Sequence, residues 1–168
     1  LGKNVPVFGH ISLILGADHK KMSKRHGATS VEEYRKAGYL PDAMVNYLAL
    51  LGWAPNSEEE IFSREELIRQ FSMDRVSSND AVFDIEKLNW INFHYMKELS
   101  PSELLDLTLP FIIRAGYTAE PVSDEQRRWL ERAVIGMRSR QPPIFWLLVL
   151  ENLILWLGVL PARLVGAL

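Results

Sequence analysis

Between Ile11 and Gly52 the spacing of apolar residues changes from two to about 3.6, which predicts a strand followed by helices. Ile11, Leu13 and Leu15 fall at every second position, so Pro6 to Leu15 reads as a strand. Ser30-Val31-Glu32-Glu33 has the spacing of a capping box, in which the serine oxygen accepts a backbone N–H and the glutamate reaches back. A short helix should follow and end near Gly38. Pro41 opens a second helix at its first position, where a missing N–H breaks no bond. Met44, Tyr47, Leu48 and Leu51 stand at i, i+3, i+4 and i+7; they predict one buried stripe, ended by Gly52.

The same signals repeat downstream. Trp53-Ala54-Pro55-Asn56 is a turn, and Glu58 to Glu60 a solvated connection. Ser63-Arg64-Glu65-Glu66 is a second capping box, with Phe62 and Leu67 placed for a hydrophobic staple. Leu67, Ile68 and Phe71 give that helix a narrow apolar face, and Ser72 to Asp80 reads as polar loop. Asp84 caps the next helix, with Phe83 and Leu88 as its staple. On it, Trp90, Asn92 and Tyr95 suit either a core or an RNA backbone; burial tendencies favour packing for Trp90. Ser100-Pro101-Ser102-Glu103 starts a further helix that Pro110 should end or kink. Ser123-Asp124-Glu125-Gln126 starts another, with Trp129, Leu130, Ala133, Val134 and Met137 on one face. Arg127, Arg128, Arg132, Arg138 and Arg140 lie on or near its outer side, as solvated surface first and an RNA-backbone contact second.

Composition narrows the class. A hydrophobic content of 48% with 24% charge is globular, and a net charge of −2 means that any RNA contact relies on local patches. With no cysteine there is neither a disulfide framework nor a thiolate metal site, which fits a reducing compartment such as the cytoplasm. His10, His19, His26 and His94 show no i, i+4 ligand spacing, so no metal site is expected. No charged-then-apolar leader is visible after Leu1. Ile144 to Leu160 is almost continuously apolar but carries Glu151 near its centre, short of the ~20 apolar residues a bilayer requires. A helix buried against its neighbours and a non-native reading frame or fusion scar rank above a genuine anchor, so no stable membrane association is expected.

The chemistry concentrates between Leu15 and Gly27. Four of the eight residues from His19 to His26 are Lys or Arg, and Gly16 and Gly27 flank them. Ammonium groups act as mobile point charges and glycines let a backbone swing, which suits a triphosphate. A solvated or nucleic-acid-facing surface is the commoner meaning of such a run.

Lys21-Met22-Ser23-Lys24-Arg25 resembles the K-M-S-K-S signature loop of class I aminoacyl-tRNA synthetases. Phe8-Gly9-His10-Ile11-Ser12-Leu13-Ile14-Leu15-Gly16 before it and His26-Gly27-Ala28 after it look like glutamyl-tRNA synthetase. So do Tyr47-Leu48-Ala49-Leu50-Leu51-Gly52-Trp53 and Phe83-Asp84-Ile85-Glu86-Lys87-Leu88-Asn89-Trp90-Ile91-Asn92. The likeness runs from about Val5 to Arg140. It implies a mainly α fold with a small β contribution. Residues 1–100 would hold the end of the catalytic core with the loop and an α/β stem-contact region. Residues 101–141 would begin a helical anticodon-binding domain, and 142–168 would be an atypical apolar tail. In the family a Rossmann fold with an H-I-G-H string comes first; that string does not occur here, so a fragment inactive alone is expected.

The resemblance implies a glutamate–tRNA ligase, which joins glutamate to ATP as glutamyl-adenylate and passes it to the 3′ end of tRNA(Glu). Negative charge grows on the departing pyrophosphate, and a loop cation closing over it favours the transition state over the ground state. Lys24 is the first choice for that role and Lys21 the second. Met22, Ser23 and Arg25 complete the ATP-binding loop, with Gly16 and Gly27 as hinges. Mg²⁺ would accompany ATP, held by phosphates. Lys87, Asn89 and Asn92 are the weaker candidates for tRNA contact. The alternative is a non-catalytic tRNA- or RNA-binding module.

Overall fold

The computed structural model describes Pro6 and residues 8–9, 11–27 and 30–138 of the 168-residue chain. Two short strands, β1 (Ile14–Leu15) and β2 (Ala81–Val82), and six helices follow one another: α1 (Val31–Lys36), α2 (Pro41–Gly52), α3 (Arg64–Gln70), α4 (Ile85–Glu98), α5 (Pro101–Arg114) and α6 (Asp124–Arg138). The fold is mainly α with a small β part. It divides into two compact units: the chain up to Tyr34 with Pro41–Ile91, and Arg35–Leu40 with the chain from Asn92 on.

In the first unit β1 and β2 pair in parallel, Ile14 against Ala81 and Leu15 against Val82. The strand predicted over Pro6 to Leu15 is only two residues long. Its partner is as short, and one step upstream the Leu13 N–H meets the Asp80 carboxylate (3.0 Å) instead of a backbone carbonyl. Ile11 and Leu13 alternate as a strand would, but both are exposed.

Helix α2 begins at Pro41 and ends at Gly52 as the pattern predicts. Its buried face is rotated, however: Ala43, Met44, Asn46 and Tyr47 are buried, while Leu48 is exposed. The cause is Asn46, whose polar side chain is wholly enclosed. Its oxygen accepts the Phe62 N–H (2.7 Å) and its Nδ2 donates to the Glu60 carbonyl (2.9 Å), tying α2 to the segment before α3. An enclosed amide with both ends bonded keeps the desolvation cost small, whereas losing one partner costs about 1–3 kcal/mol.

Ser63 forms the predicted capping box with Glu66, and Phe62 and Leu67 are buried beside Trp53. Ile68 faces outward at 74% exposure, so the face of α3 is narrower than its pattern. Where polar loop was predicted, Met73–Arg75 makes one 3₁₀ turn capped by Ser72.

The second unit is built on α5 and α6 around Met96, Leu104, Leu105, Ile112, Leu130 and Val134, with Trp129 packed against them. Ser100 and Glu103 form the capping box, with Pro101 in the first turn. Pro110 does not end α5, which runs on to Arg114. Thr108, two residues earlier, donates its hydroxyl to the carbonyls of Leu104 and Leu105, one of the side-chain routes by which a helix adjusts near a proline. Among the described residues no helix is long and apolar enough to cross a membrane. Arg140, the apolar tail from Ile144 to Leu160 and the region 142–168 lie outside the described residues.

Candidate functional site

The basic stretch is a tight hairpin carried on β1. Leu15 and Lys21 form an antiparallel bridge, and the Met22 N–H donates to the Ile14 carbonyl (3.0 Å). Inside it, the Gly16 N–H donates to the Lys20 carbonyl (2.8 Å), and the Gly16 carbonyl accepts the His19 N–H (2.9 Å). His19 takes a left-handed φ of 57°, a conformation that histidine adopts more readily than most non-glycine residues. The Asp18 carboxylate accepts the Lys20 N–H (3.0 Å) and squares off the tip. Gly16 is itself buried.

Beyond the hairpin, Lys24–His26 winds one 3₁₀ turn and Gly27 leaves it at φ 96°, with nothing within 4 Å of where a Cβ would stand. That left-handed backbone is the reason for a glycine at this position. Lys21, Ser23, Lys24 and Arg25 are exposed, and Met22 is half-buried between them. No ion pair to Lys21, Lys24 or Arg25 forms among the described residues. The loop therefore concentrates positive charge on a short, solvent-facing turn, with no ion pair to these three cations among the described residues.

What fixes the base of this loop lies across the sheet. The Phe83 N–H donates to the Leu15 carbonyl (2.8 Å), and the Ala81 N–H to the Leu13 carbonyl (3.1 Å). The next residue, Asp84, caps α4 by accepting the N–H groups of Glu86 and Lys87, while its own N–H donates to the Tyr47 hydroxyl (2.7 Å). The Phe83 ring packs edge-on to Tyr47 at 5.1 Å and against Tyr34 at 5.8 Å. Burial raises the Tyr47 phenol above its ordinary range, so it stays neutral. Periodicity identified Tyr47 only as core; no pattern in the sequence marks its hydroxyl, or Asp80, as a clamp on β1.

The candidates on α4 lie elsewhere. Asn92 is wholly buried; its oxygen accepts the Leu40 N–H (2.8 Å) and its Nδ2 approaches the Met96 sulfur (3.5 Å). Asn89 is 5% exposed. These two amides serve the interior, and their side chains are not offered to an RNA. Lys87 is half-exposed and paired with Glu60. Trp90, which burial tendencies had placed in the core, is 44% exposed. Among the arginines of α6, Arg127 is bonded to Asp106 and Ser102 on α5 and pairs with Glu131 (3.7 Å).

Among the described residues no three His, Asp or Glu side chains gather as a metal site. The chemistry that the described loop offers is the binding of a polyanion by exposed cations on a short, glycine-ended turn.

A family model for tRNA synthetases class I (E and Q), catalytic domain, matches residues 1–90. The chain is 57% identical to a glutamate–tRNA ligase of Desulforamulus reducens and 55% identical to one of Carboxydothermus hydrogenoformans, each over 139 residues. Both matches take in 83% of this chain but 29% of the relative. Among solved structures, a glutamate tRNA ligase of Elizabethkingia meningosepticum in complex with its amino acid superposes with a TM-score of 0.68 at 32% identity, over 86% of this chain and 32% of that one. The glutamate-tRNA synthetase of Elizabethkingia anophelis gives 0.70 at 31%, with the same coverage. The chain belongs to the glutamate and glutamine branch of the class I tRNA synthetases, and it spans under a third of the length of these curated relatives.

Proposed function

We propose that this chain is the phosphate-handling part of a glutamate–tRNA ligase, in which Lys24, seconded by Lys21, meets the leaving pyrophosphate of ATP as glutamate is activated. The observation that carries the reading is the pair of exposed lysines, free of ion pairs among the described residues, on a loop whose leading side is set by the backbone hydrogen bonds of Gly16 and Met22. A cation already neutralised by a carboxylate would have to break that pair before taking a phosphate. These lysines do not.

Met22 anchors the loop while Ser23 and Arg25 add a hydroxyl donor and a third cation. Gly27, left-handed with open space around it, is one hinge of this reading; Gly16, the other, is held by bonds on both its N–H and its carbonyl. ATP would bring Mg²⁺ with it, the ion screening charge between phosphates. The loop's own part is to add positive charge on the leaving side as charge develops there, which lowers the barrier more than it tightens ground-state binding. Glutamate, ATP and tRNA(Glu) are the partners this reading assigns, and the cytoplasm its location. For tRNA, Lys87 remains a candidate, and Trp90 offers a half-open aromatic face such as ribose or a base can lie against.

The test is made in a full-length ligase carrying this segment. Lys24→Ala should reduce ATP–pyrophosphate exchange by about two orders of magnitude, while glutamate affinity changes little. Exchange near the wild-type rate would remove Lys24 from the chemistry. The other reading, an RNA-binding module without catalysis, predicts that same silence together with undiminished tRNA binding.

A further inference from the structure

We infer that Tyr47 is a positioning residue for the cationic loop, acting through Asp84 and Phe83 on the strand that carries it. The inference rests on the loop being the phosphate-binding element proposed above. Each link is a short, directional contact. The hairpin stands on β1, and among the described residues β1 pairs with one other strand, the two-residue β2, besides its bridge to Lys21 within the hairpin. Two residues form too short a ladder to define a strand without help, because so few bonds oppose the backbone entropy of ordering it. The added restraints lie at its two ends. Upstream, the Asp80 carboxylate accepts the Leu13 N–H (3.0 Å). Downstream, the Phe83 N–H reaches the Leu15 carbonyl (2.8 Å), one residue before Gly16.

Phe83 in turn is gripped twice. Its ring lies between Tyr34 and Tyr47, and the backbone immediately after it is pinned where the Asp84 N–H donates to the Tyr47 oxygen. Tyr47 is 1% exposed on α2, the helix tied by Asn46 to the Phe62 segment. Its hydroxyl thus refers the position of β2, and through β2 that of β1 and the hairpin, to the buried part of the first unit. A phenylalanine would fill the same space but leave the Asp84 N–H without this acceptor. Asp80 sits on the surface at the other end and makes the complementary clamp without any core role.

The experiment separates positioning from mere stability. Amide hydrogen exchange and affinity for inorganic tripolyphosphate are measured on the whole chain for wild type, Tyr47→Phe, Asp80→Ala and Asn46→Ala. Asn46→Ala is the control, since it weakens the same unit through the bonds to Phe62 and Glu60, which lie outside both strands. In Tyr47→Phe, the Phe83 and Met22 amides should exchange roughly 10-fold faster than in an Asn46→Ala sample compared at equal distance below its melting point. Tripolyphosphate affinity should fall by about 3- to 10-fold, since a looser loop must be ordered on binding. Asp80→Ala should show the same two changes to a smaller degree with almost no change in melting point, which keeps the inference testable if Tyr47→Phe folds poorly. Equal effects of Tyr47→Phe and Asn46→Ala on these amides would overturn it, as would an unchanged loop in Asp80→Ala. Should Lys24→Ala leave tripolyphosphate binding intact, the phosphate reading fails; the exchange rates would still report whether Tyr47 sets the strand.

Discussion

Arg127 and Lys24 are both basic side chains at the surface, and they stand in opposite circumstances. Arg127, on α6, is bonded to Asp106 and Ser102, pairs with Glu131, and has its guanidinium pushed further above its ordinary range by the Asp106 carboxylate. It joins the outer sides of two helices whose inner sides bury Leu104, Leu105, Leu130 and Val134. Lys24 stands on a 3₁₀ turn, exposed, with no ion pair among the described residues. Arg127 is met by partners on its own unit; the loop lysines have no ion pair among the described residues, which on the proposed reading leaves them for a phosphate. On the proposed reading, stability and phosphate binding fall on different stretches of this chain, and substitutions should separate them.

The largest loss of stability belongs to the helical unit. Leu104 is wholly buried in the α5–α6 cluster, and Leu104→Ala should cost ~2–5 kcal/mol, read as a shift in denaturant midpoint at unchanged slope. Next comes Asn46→Ala in the first unit, which leaves the Phe62 N–H and the Glu60 carbonyl without their partner and should cost about 1–3 kcal/mol. Ser100→Ala removes the cap of α5 and should cost ~1 kcal/mol. The same cap predicts a pH dependence. Glu103 lies below the ordinary carboxylate range because the Ser100 hydroxyl and then its backbone N–H bond to it, and Glu66 does so through Ser63. A carboxylate whose folded value is depressed contributes stability that is present above the ordinary range and lost as pH falls through the folded value. The melting point should therefore drop on acidification below that range, and less steeply in Glu103→Gln. Smallest of all, Lys24→Ala should move stability by no more than ~0.5 kcal/mol, as suits an exposed side chain with no ion pair among the described residues.

Much of the helical framework was legible, because helix starts are written in short local signals. Ser63, Asp84 and Ser100 cap the helices they were expected to cap, and Pro41 and Pro101 sit in their first turns. What was not legible depends on partners far along the chain. Leu48 and Ile68 fit a 3.6 period yet face outward, since the side each helix buries is chosen by what packs against it. Asn92 suited either a core or an RNA contact and Asn46 carried no signal; the bonds to Leu40, Phe62 and Glu60 explain their burial. Pro110 breaks a pattern but not the helix. At the loop, the residue string identified the cations, whereas the clamp formed by Asp80, Phe83 and Tyr47 spans sequence separations of 37 and 67 residues and has no local signature.

The difference between loop and helix can be measured directly by titrating inorganic tripolyphosphate into the whole chain and following backbone amide shifts at low ionic strength. The account predicts that the largest shifts fall between Lys21 and Gly27, that Lys24→Ala abolishes most of them, and that added salt weakens them steeply. Shifts centred instead on the arginines of α6, unaltered in Lys24→Ala, would contradict it.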